Sequence, residues 1–193
     1  MTKRRLFTLL ITGLLWIVLC GQAQAWHLEA FGSAGYGTAE VQDEAKSPNM
    51  GIYQLGGTVG FNFVPMFYAG ATASYQKIVQ FSETNQAHGN RKGSRPDIAP
   101  TLGFSFLVFH LKYEYKMWGD YKLDKKTSAG AEVTYKSPSG HRLTLQYSLM
   151  PLVRIGVYYE TIEFDKIDQG GVESNLTKPL DLTHYGLALA VTF

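Results

Sequence analysis

Cysteine is nearly absent from this sequence. The 193 residues include one cysteine, Cys20, and it lies in an apolar stretch close to the N-terminus. A chain with a single cysteine forms no internal disulfide and offers no cysteine cluster for a metal. Removal of residues 1–25 would leave a chain without any thiol, which excludes the thiol enzymes.

An excess of charge of either sign is also missing. The chain has 18 Lys and Arg against 16 Asp and Glu. Without Lys3, Arg4 and Arg5, the balance is 15 (18 minus 3) against 16, so the rest of the chain is close to neutral. Nucleic-acid-binding domains usually carry a basic excess. This balance therefore argues against a nucleic-acid partner.

An apolar run long enough for a transmembrane helix is missing as well. The run from Leu6 to Leu19 is shorter than the roughly 18 residues that such a helix needs. Basic residues precede it, and Ala23 and Ala25 follow in an A-x-A arrangement, as in a secretory signal peptide. We predict a cleaved signal peptide over residues 1–25 and one domain over residues 26–193. An uncleaved anchor is the alternative.

Alternation of period two recurs after residue 25, in place of a helical period. In residues 67–76, Phe67, three alanines and Tyr75 share one face, and small or polar residues share the other. Eight such segments predict eight strands. They are residues 26–37, 53–63, 67–76, 98–106, 109–118, 128–136, 142–164 and 184–193.

The spacing of aromatic residues indicates the medium around the strands. Phe67 and Tyr75 bracket one segment, and Tyr53 and Phe63 bracket another. These intervals match the roughly 9–11 residues that cross a bilayer as a strand, and aromatic girdles flank the apolar band of membrane barrels. A sheet in lipid must close on itself. The sequence therefore predicts an all-β fold, an eight-stranded antiparallel up-and-down transmembrane β-barrel.

The predicted connections alternate between short and long, as in an up-and-down barrel. Residues 64–66, 107–108 and 137–140 are short links, and the composition of Ser137–Gly140 is typical of a turn. Residues 142–164 would form an apolar face about 40 Å tall, more than the expected band of about 25 Å, and could be two strands. Nine strands would be an odd number, which bacterial barrels avoid. We predict one long strand, kinked at Pro151.

The last ten residues, HYGLALAVTF, form a strand that ends in an aromatic residue. Its apolar face consists of Tyr185, Leu187, Leu189, Val191 and Phe193. This segment resembles the terminal signal of Gram-negative outer-membrane barrels, and the whole pattern is similar to the OmpA/OmpX-type proteins. The resemblance implies location in the cell outer membrane and recognition of the last strand by the barrel assembly machinery.

Charged residues on the small, polar face are predicted to pair inside the barrel. Eight strands leave room only for side chains or one small ligand. A polar conduit or ligand site is the alternative to this lumen charge network. Its predicted members are His110, Lys112, Glu114, Lys116, Glu132, Arg142, Arg154 and Glu160.

A basic segment lies between the third and fourth predicted strands. Arg91, Lys92 and Arg95 belong to it, and Arg and Lys are suited to bind phosphate. Contact with lipopolysaccharide is one hypothesis for these residues, and ordinary solvated loop charge is the other.

These patterns favour a structural or surface-interaction barrel with a lumen largely filled by polar side chains. A narrow channel for small solutes and a lipid-modifying enzyme are the alternatives. No histidine occurs in a His-x-Ser motif like that of the lipid A deacylases, and no metal-ligand spacing stands out. We therefore predict no enzyme, no cofactor and no metal site. The expected partners are outer-membrane lipids, lipopolysaccharide and the assembly machinery, with the protein itself a monomer.

Overall fold

The computed structural model describes residues 26–40, 49–81, 91–124 and 132–193. The predicted signal peptide lies outside these ranges and stays a prediction. The described chain forms nine β-strands: β1 (Trp26–Glu40), β2 (Asn49–Val64), β3 (Phe67–Phe81), β4 (Arg91–Phe106), β5 (Phe109–Lys116), β6 (Tyr121–Leu123), β7 (Val133–Ser148), β8 (Val153–Gln169) and β9 (Val172–Thr192). No helix in the described ranges is long and apolar enough to span a membrane.

The strands form one closed antiparallel sheet. Strands that are neighbours in sequence pair with each other, with the exception of β5 and β6, and β1 pairs with β9 to close the ring. The short strand β6 shares a position in the ring with β5, because both lie between β4 and β7. The barrel therefore has eight positions, and the predicted eight-stranded antiparallel fold is confirmed.

Two predicted boundaries were wrong, and the errors cancel in the strand count. The predicted turn at Ser137–Gly140 lies inside β7, where the left-handed φ of Ser137 (58°) marks an irregularity that accommodates Pro138. Residues 149–152 form a tight turn between β7 and β8. The single long strand predicted over 142–164 is therefore two strands.

The two ends of the barrel differ. Three short turns, at residues 65–66, 107–108 and 149–152, lie at the end that also holds Trp26 and Phe193. We call this the turn end, and the opposite end the loop end. At the loop end the strands are longer than predicted. Residues 165–181, which lie between two of the predicted strands, are mostly a β8–β9 hairpin, closed by Gly170 and Gly171 at φ values of 64° and 90°, where glycine is favoured.

One pairing in the wall is interrupted. Strand β4 pairs with β5 over Thr101–Phe106 and with β6 at Gly93 and Ser94. Between these stretches, the described residues form one isolated bridge, from Ile98 to Trp118. Pro96 and Pro100 lie in this part of β4, and proline has no N–H to donate. The wall therefore has a weakly bonded line between β4 and the β5–β6 position.

The exterior of the barrel is apolar over a broad band. Side chains such as Leu55, Leu145 and Leu189 are exposed on this band. Exposed apolar surface of this extent suits lipid rather than water. Aromatic residues border the band at both ends: Trp26, Phe61, Phe63, Phe67, Phe106, Phe109 and Phe193 toward the turn end, and Tyr36, Tyr53, Tyr75, Tyr159 and Tyr185 toward the loop end.

The interior has an apolar layer at the loop end, which the sequence analysis did not predict. The side chains of this layer are buried and pack together as one core cluster. We call it the apolar cap. Its members are Ala39, Met50, Ile52, Ile78, Tyr121, Leu123, Tyr135, Ile162, Phe164, Leu180 and Leu182.

Candidate functional site

The interior changes from apolar to polar directly below the apolar cap. Successive inward residues on a strand are two positions apart. On β8 the inward face passes from Ile162 to Glu160, and on β9 it passes from Leu182 to His184. The same change occurs on β2 and β3, which contribute Gln54 and Gln76. The lumen below the cap is therefore lined by buried polar and charged groups.

Glu160 is the centre of one group of charges. Its carboxylate accepts hydrogen bonds from Arg95 Nη2 at 2.6 Å and from Arg142 Nη1 at 3.1 Å. Gln76 Nε2 donates to the same carboxylate at 3.1 Å, and His184 Nε2 lies 3.5 Å from it. All five side chains are buried, so the pairing takes place away from bulk solvent.

A second group of charges forms a chain across the lumen. Lys116 Nζ lies 2.5 Å from both Asp97 Oδ2 and Glu114 Oε2. Lys112 Nζ lies 2.5 Å from Glu29 Oε1 and 3.5 Å from Glu114 Oε1. Acidic and basic groups alternate along this chain, which links β1, β4 and β5.

Aromatic rings lie among these cations. Phe31 faces inward on β1, and Lys112 Nζ lies 4.2 Å from the centre of its ring. The Arg142 guanidinium lies 4.0 Å from the ring centre of Tyr158. The face of an aromatic ring attracts a cation, which explains why an aromatic residue occupies the polar side of β1.

The inward charges nearly balance in number. Among the described residues there are five cations, Arg95, Lys112, Lys116, Arg142 and Arg154, and four carboxylates, Glu29, Asp97, Glu114 and Glu160. Burial of a charge is costly unless an opposite charge compensates it. The network therefore tolerates the loss of a whole pair better than the loss of one partner.

Comparisons with known proteins give a likeness in structure. No protein-family model matches the chain, and no curated protein matches it. Neisserial surface protein A aligns with a TM-score of 0.59 at 11% identity, over 88% of this chain and 98% of that one. Ail, the attachment invasion locus protein of Yersinia pestis, aligns with a TM-score of 0.52 at 13% identity, over 88% and 99%. The fold is that of the small outer-membrane β-barrels. OprG from Pseudomonas aeruginosa, an outer-membrane protein, also aligns, with a TM-score of 0.50 at 10% identity over 88% and 96%.

The outer-membrane barrel fold places most of the predicted network members in the lumen. His110, Lys112, Glu114, Lys116, Arg142 and Glu160 are buried there, and Arg154 is partly buried, 3.6 Å from Glu29. Glu132 is different: it is exposed and precedes β7, so the two-residue alternation of that strand does not govern it.

Sequence reasoning missed several members of the network. Glu29, Gln76, Asp97 and His184 were not predicted. Asp97 lay in the gap between the third and fourth predicted strands, and Gln76 was the uncharged last residue of the third. Glu29 shares the inward face of β1 with Phe31, so that face did not look polar. A pattern search with longer strands would have found Asp97.

The three residues predicted to contact lipopolysaccharide do not lie together on one outer surface. Arg95 is 1% exposed and pairs with Glu160, so its predicted place in an outer loop was wrong. Lys92 is exposed on β4, and Arg91 begins that strand. The physical reason is the length of β4: it starts at residue 91, and its alternate residues 93, 95 and 97 point into the lumen.

The predicted assembly signal lies on the outward face of β9. Tyr185, Leu187 and Leu189 are exposed, and Val191 is partly buried. Phe193 is 66% exposed, and its backbone N–H donates to the Leu28 carbonyl at 2.9 Å. Recognition of this strand by the assembly machinery stays a prediction.

A histidine with two serine partners lies near the turn end. Ser105 Oγ lies 2.8 Å from His110 Nδ1, and Ser148 Oγ lies 2.8 Å from His110 Nε2. In a hydrolytic triad, one ring nitrogen of the histidine faces a serine and the other faces a carboxylate. Here both ring nitrogens of His110 face serine hydroxyl groups. The described residues also contain no group of three or more His, Cys, Asp and Glu that could hold a metal ion.

The turn end of the lumen is narrowed by stacked rings. His27 stacks on Tyr68 with 3.8 Å between the ring centres. The Tyr68 ring lies against Gly103, where any side chain would collide with it. The described lumen thus contains rings at the turn end, charges in the middle and the apolar cap at the loop end.

Proposed function

We propose that this protein is an integral outer-membrane barrel with a closed lumen, and that its role is structural or in surface interaction. The observation that carries the proposal is the filling of the interior by side chains from every position in the ring. Paired charges occupy the middle of the lumen, and the apolar cap covers them at the loop end. An eight-position barrel has room for little else.

The apolar cap supports the proposal because its rings pack closely. Tyr121 lies 5.9 Å from Tyr135 and 6.1 Å from Phe164 between ring centres. Ions cross apolar constrictions poorly, because such a constriction supplies no polar group to replace their hydration. A narrow channel, the alternative function, would have to pass both the cap and the charges below it.

The β8–β9 hairpin supports a role at the surface. It extends past the tyrosine border to Gly170 and Gly171, and it is cross-linked by ion pairs. Lys166 Nζ on β8 lies 3.0 Å from Glu173 on β9, and Lys136 Nζ on β7 lies 2.8 Å from Asp168 and 3.0 Å from Glu173. Hydrogen bonds from Lys166 and Lys136 lower the pKa of Glu173, which favours its charged form. An ordered projection of this kind suits contact with molecules outside the cell.

Planar bilayers test whether the lumen is closed. We expect the purified protein to show no stable conductance, because side chains fill the lumen from the turn end to the cap. The measurement is single-channel current across a bilayer that contains the protein, with a general porin inserted under the same conditions as the positive control. Stable conductance of general-porin size would contradict the proposal.

Cysteine labelling tests the orientation of the barrel in the membrane. Ser174→Cys places a thiol on the exposed part of the hairpin, and Met150→Cys places one in a turn at the opposite end. In a Cys20→Ser background, a membrane-impermeant maleimide should label the first variant on intact cells. It should label the second variant only after permeabilisation. The reverse pattern would show that the turn end faces outward.

A further inference from the structure

Three carboxylates form a row on the outside of the barrel at the loop end. Glu40, Asp181 and Glu163 lie side by side on β1, β9 and β8, in register. Each lies four residues from a tyrosine of the border along its strand, on the side of the loop end. Burial, with Glu163 and Glu40 nearby, raises the pKa of Asp181, as expected where no cation among the described residues forms an ion pair with the row. We call these three residues the acidic ledge.

An apolar groove lies on the same strands, just below the tyrosine border. Its volume is about 420 Å³. The floor is formed by the backbone of Gly35 and Gly186, which face each other in register, and by the small outward side chain of Ala34. The groove is lined by Ala34, Gly35, Tyr36, Val157, Tyr158, Tyr185, Gly186 and Leu187.

Three lysines form a second row on other strands, two to four residues beyond the tyrosine border at Tyr75. Lys77 and Lys122 are each in register with Ser94, on the two sides of β4, and Lys92 lies two residues farther along that strand. All three lysines are exposed, and none of them forms an ion pair with another described residue. We call Lys77, Lys92 and Lys122 the basic ledge. Asp124, also exposed, lies two residues past Lys122.

The surface below the basic ledge protrudes where the groove is recessed. Tyr75, Ile98 and Trp118 are 49%, 53% and 55% exposed. Tyr75 belongs to the tyrosine border and precedes Lys77 by two residues. Ile98 and Trp118 lie side by side just below the ledge. Large apolar side chains thus lie below the basic row, at and just below the tyrosine border. The groove below the acidic row lies at the same distance from that border.

The two ledges lie on opposite sides of the barrel. The acidic ledge is centred on β9 and the basic ledge on β4, and these strands are four positions apart in either direction around the ring of eight. Copies of a membrane barrel share one orientation across the bilayer, so equal levels meet when two copies lie side by side. A neighbour related by simple translation brings the acidic ledge of one copy against the basic ledge of the next.

We propose that a second copy of this chain docks in the groove, with its basic ledge against the acidic ledge. Tyr75, Ile98 and Trp118 of one copy then cover the recessed surface beside Gly35 and Gly186 of the next. The contact is heterologous and does not close on itself, so it generates rows of barrels in the plane of the membrane. This association rests on the proposed membrane location and replaces the monomer expected from the sequence.

Disulfide trapping tests the arrangement in outer membranes, with the full chain in a Cys20→Ser background. Ser94→Cys marks the basic ledge, and Thr183→Cys marks the strand between Tyr185 and Asp181. The double variant should form dimers, trimers and longer species on oxidation. Each single variant should stay monomeric, and a mixture of the two single variants should stop at dimers, because each copy then carries one thiol.

A control pair and a charge exchange complete the test. Ser139→Cys with Thr183→Cys places the first thiol on β7, in register with Glu163, and should give monomers. Conversion of all three acidic-ledge residues to lysine should reduce trapping at least about tenfold, a change of about 1.4 kcal/mol. Conversion of Lys77, Lys92 and Lys122 to glutamate in the same chain should restore it.

The remaining outcomes overturn the proposal. Monomers from the Ser94–Thr183 double variant would show that the groove holds lipid or lipopolysaccharide instead of a second copy. Equal trapping by the control pair would indicate crowding, and trapping by a single variant would indicate a face-to-face dimer. Trapping unchanged by charge reversal would exclude the ledges as its cause. Membrane fractionation of each variant separates these results from failure of the proposed location.

Discussion

Replacement of Glu160 with leucine is expected to lower the free energy of unfolding by about 3–5 kcal/mol, the cost of removing one partner of a buried ion pair. Glu160 accepts hydrogen bonds from Arg95 and Arg142, and both guanidiniums are buried. Without the carboxylate, these two cations face each other beside His184. Urea unfolding of the barrel in lipid vesicles, followed by tryptophan fluorescence, measures the change.

Two control variants separate the charge of Glu160 from its shape and place. Glu160→Gln keeps the shape of the side chain and removes its charge, so we expect a loss smaller than that of leucine but still clear. Glu173→Gln removes a carboxylate from the exposed hairpin, where solvent screens the ion pairs, so we expect little change in the free energy of unfolding. A loss below about 1 kcal/mol for Glu160→Leu would show that water reaches Arg95 and Arg142, and the closed lumen would then be wrong.

Replacement of Leu189 with lysine is expected to cost about 2–4 kcal/mol, the range for a cation near the middle of the bilayer on the outside of a barrel. Leu189 points outward, between Gly32 on β1 and Ile155 on β8. It lies halfway along β9 between Phe193 and the tyrosine border at Tyr185. The same unfolding measurement in vesicles reports the cost.

Thr183→Lys is the matched control on the same strand. Thr183 is outward and two residues beyond Tyr185, on the side away from the apolar band. A lysine near the interface costs about 0–1 kcal/mol, and the acidic ledge beside it would favour the cation. Equal costs for Leu189→Lys and Thr183→Lys would show that the apolar band does not lie in lipid.

The alternation of side chains was enough to predict the fold, but not every boundary. Turn prediction relies on polar residues, glycine and proline, a rule that suits turns in water. The real turn at 149–152 consists of Leu149, Met150, Pro151 and Leu152. It lies at the end of the apolar band, where apolar residues are favoured. The polar Ser137–Gly140 segment lies within a strand, beyond the tyrosine border, where water surrounds the outward face.

The members of the charge network were predicted where charged residues alternate along a short strand. They were missed where a strand continues beyond the apolar band. His110, Lys112, Glu114 and Lys116 alternate on a short strand, and all four are buried. Arg95 and Asp97 come from β4, whose outward residues near its start are polar as well, so that part of the strand looked like a loop. Which acid pairs with which base depends on the register between distant strands, and no local pattern encodes it.

The interrupted pairing between β4 and the β5–β6 position makes the barrel wall unequally stiff. A closed cylinder that is uniformly bonded resists squeezing equally in all directions, whereas one compliant line lets it flatten into an oval. Here that line runs past Pro96, Ile98 and Trp118. Lys116 and Asp97 lie directly behind it and hold each other at 2.5 Å. The ion pair therefore holds the two sides of this weakly paired line together. Lateral pressure from the membrane would deform the barrel first along this line.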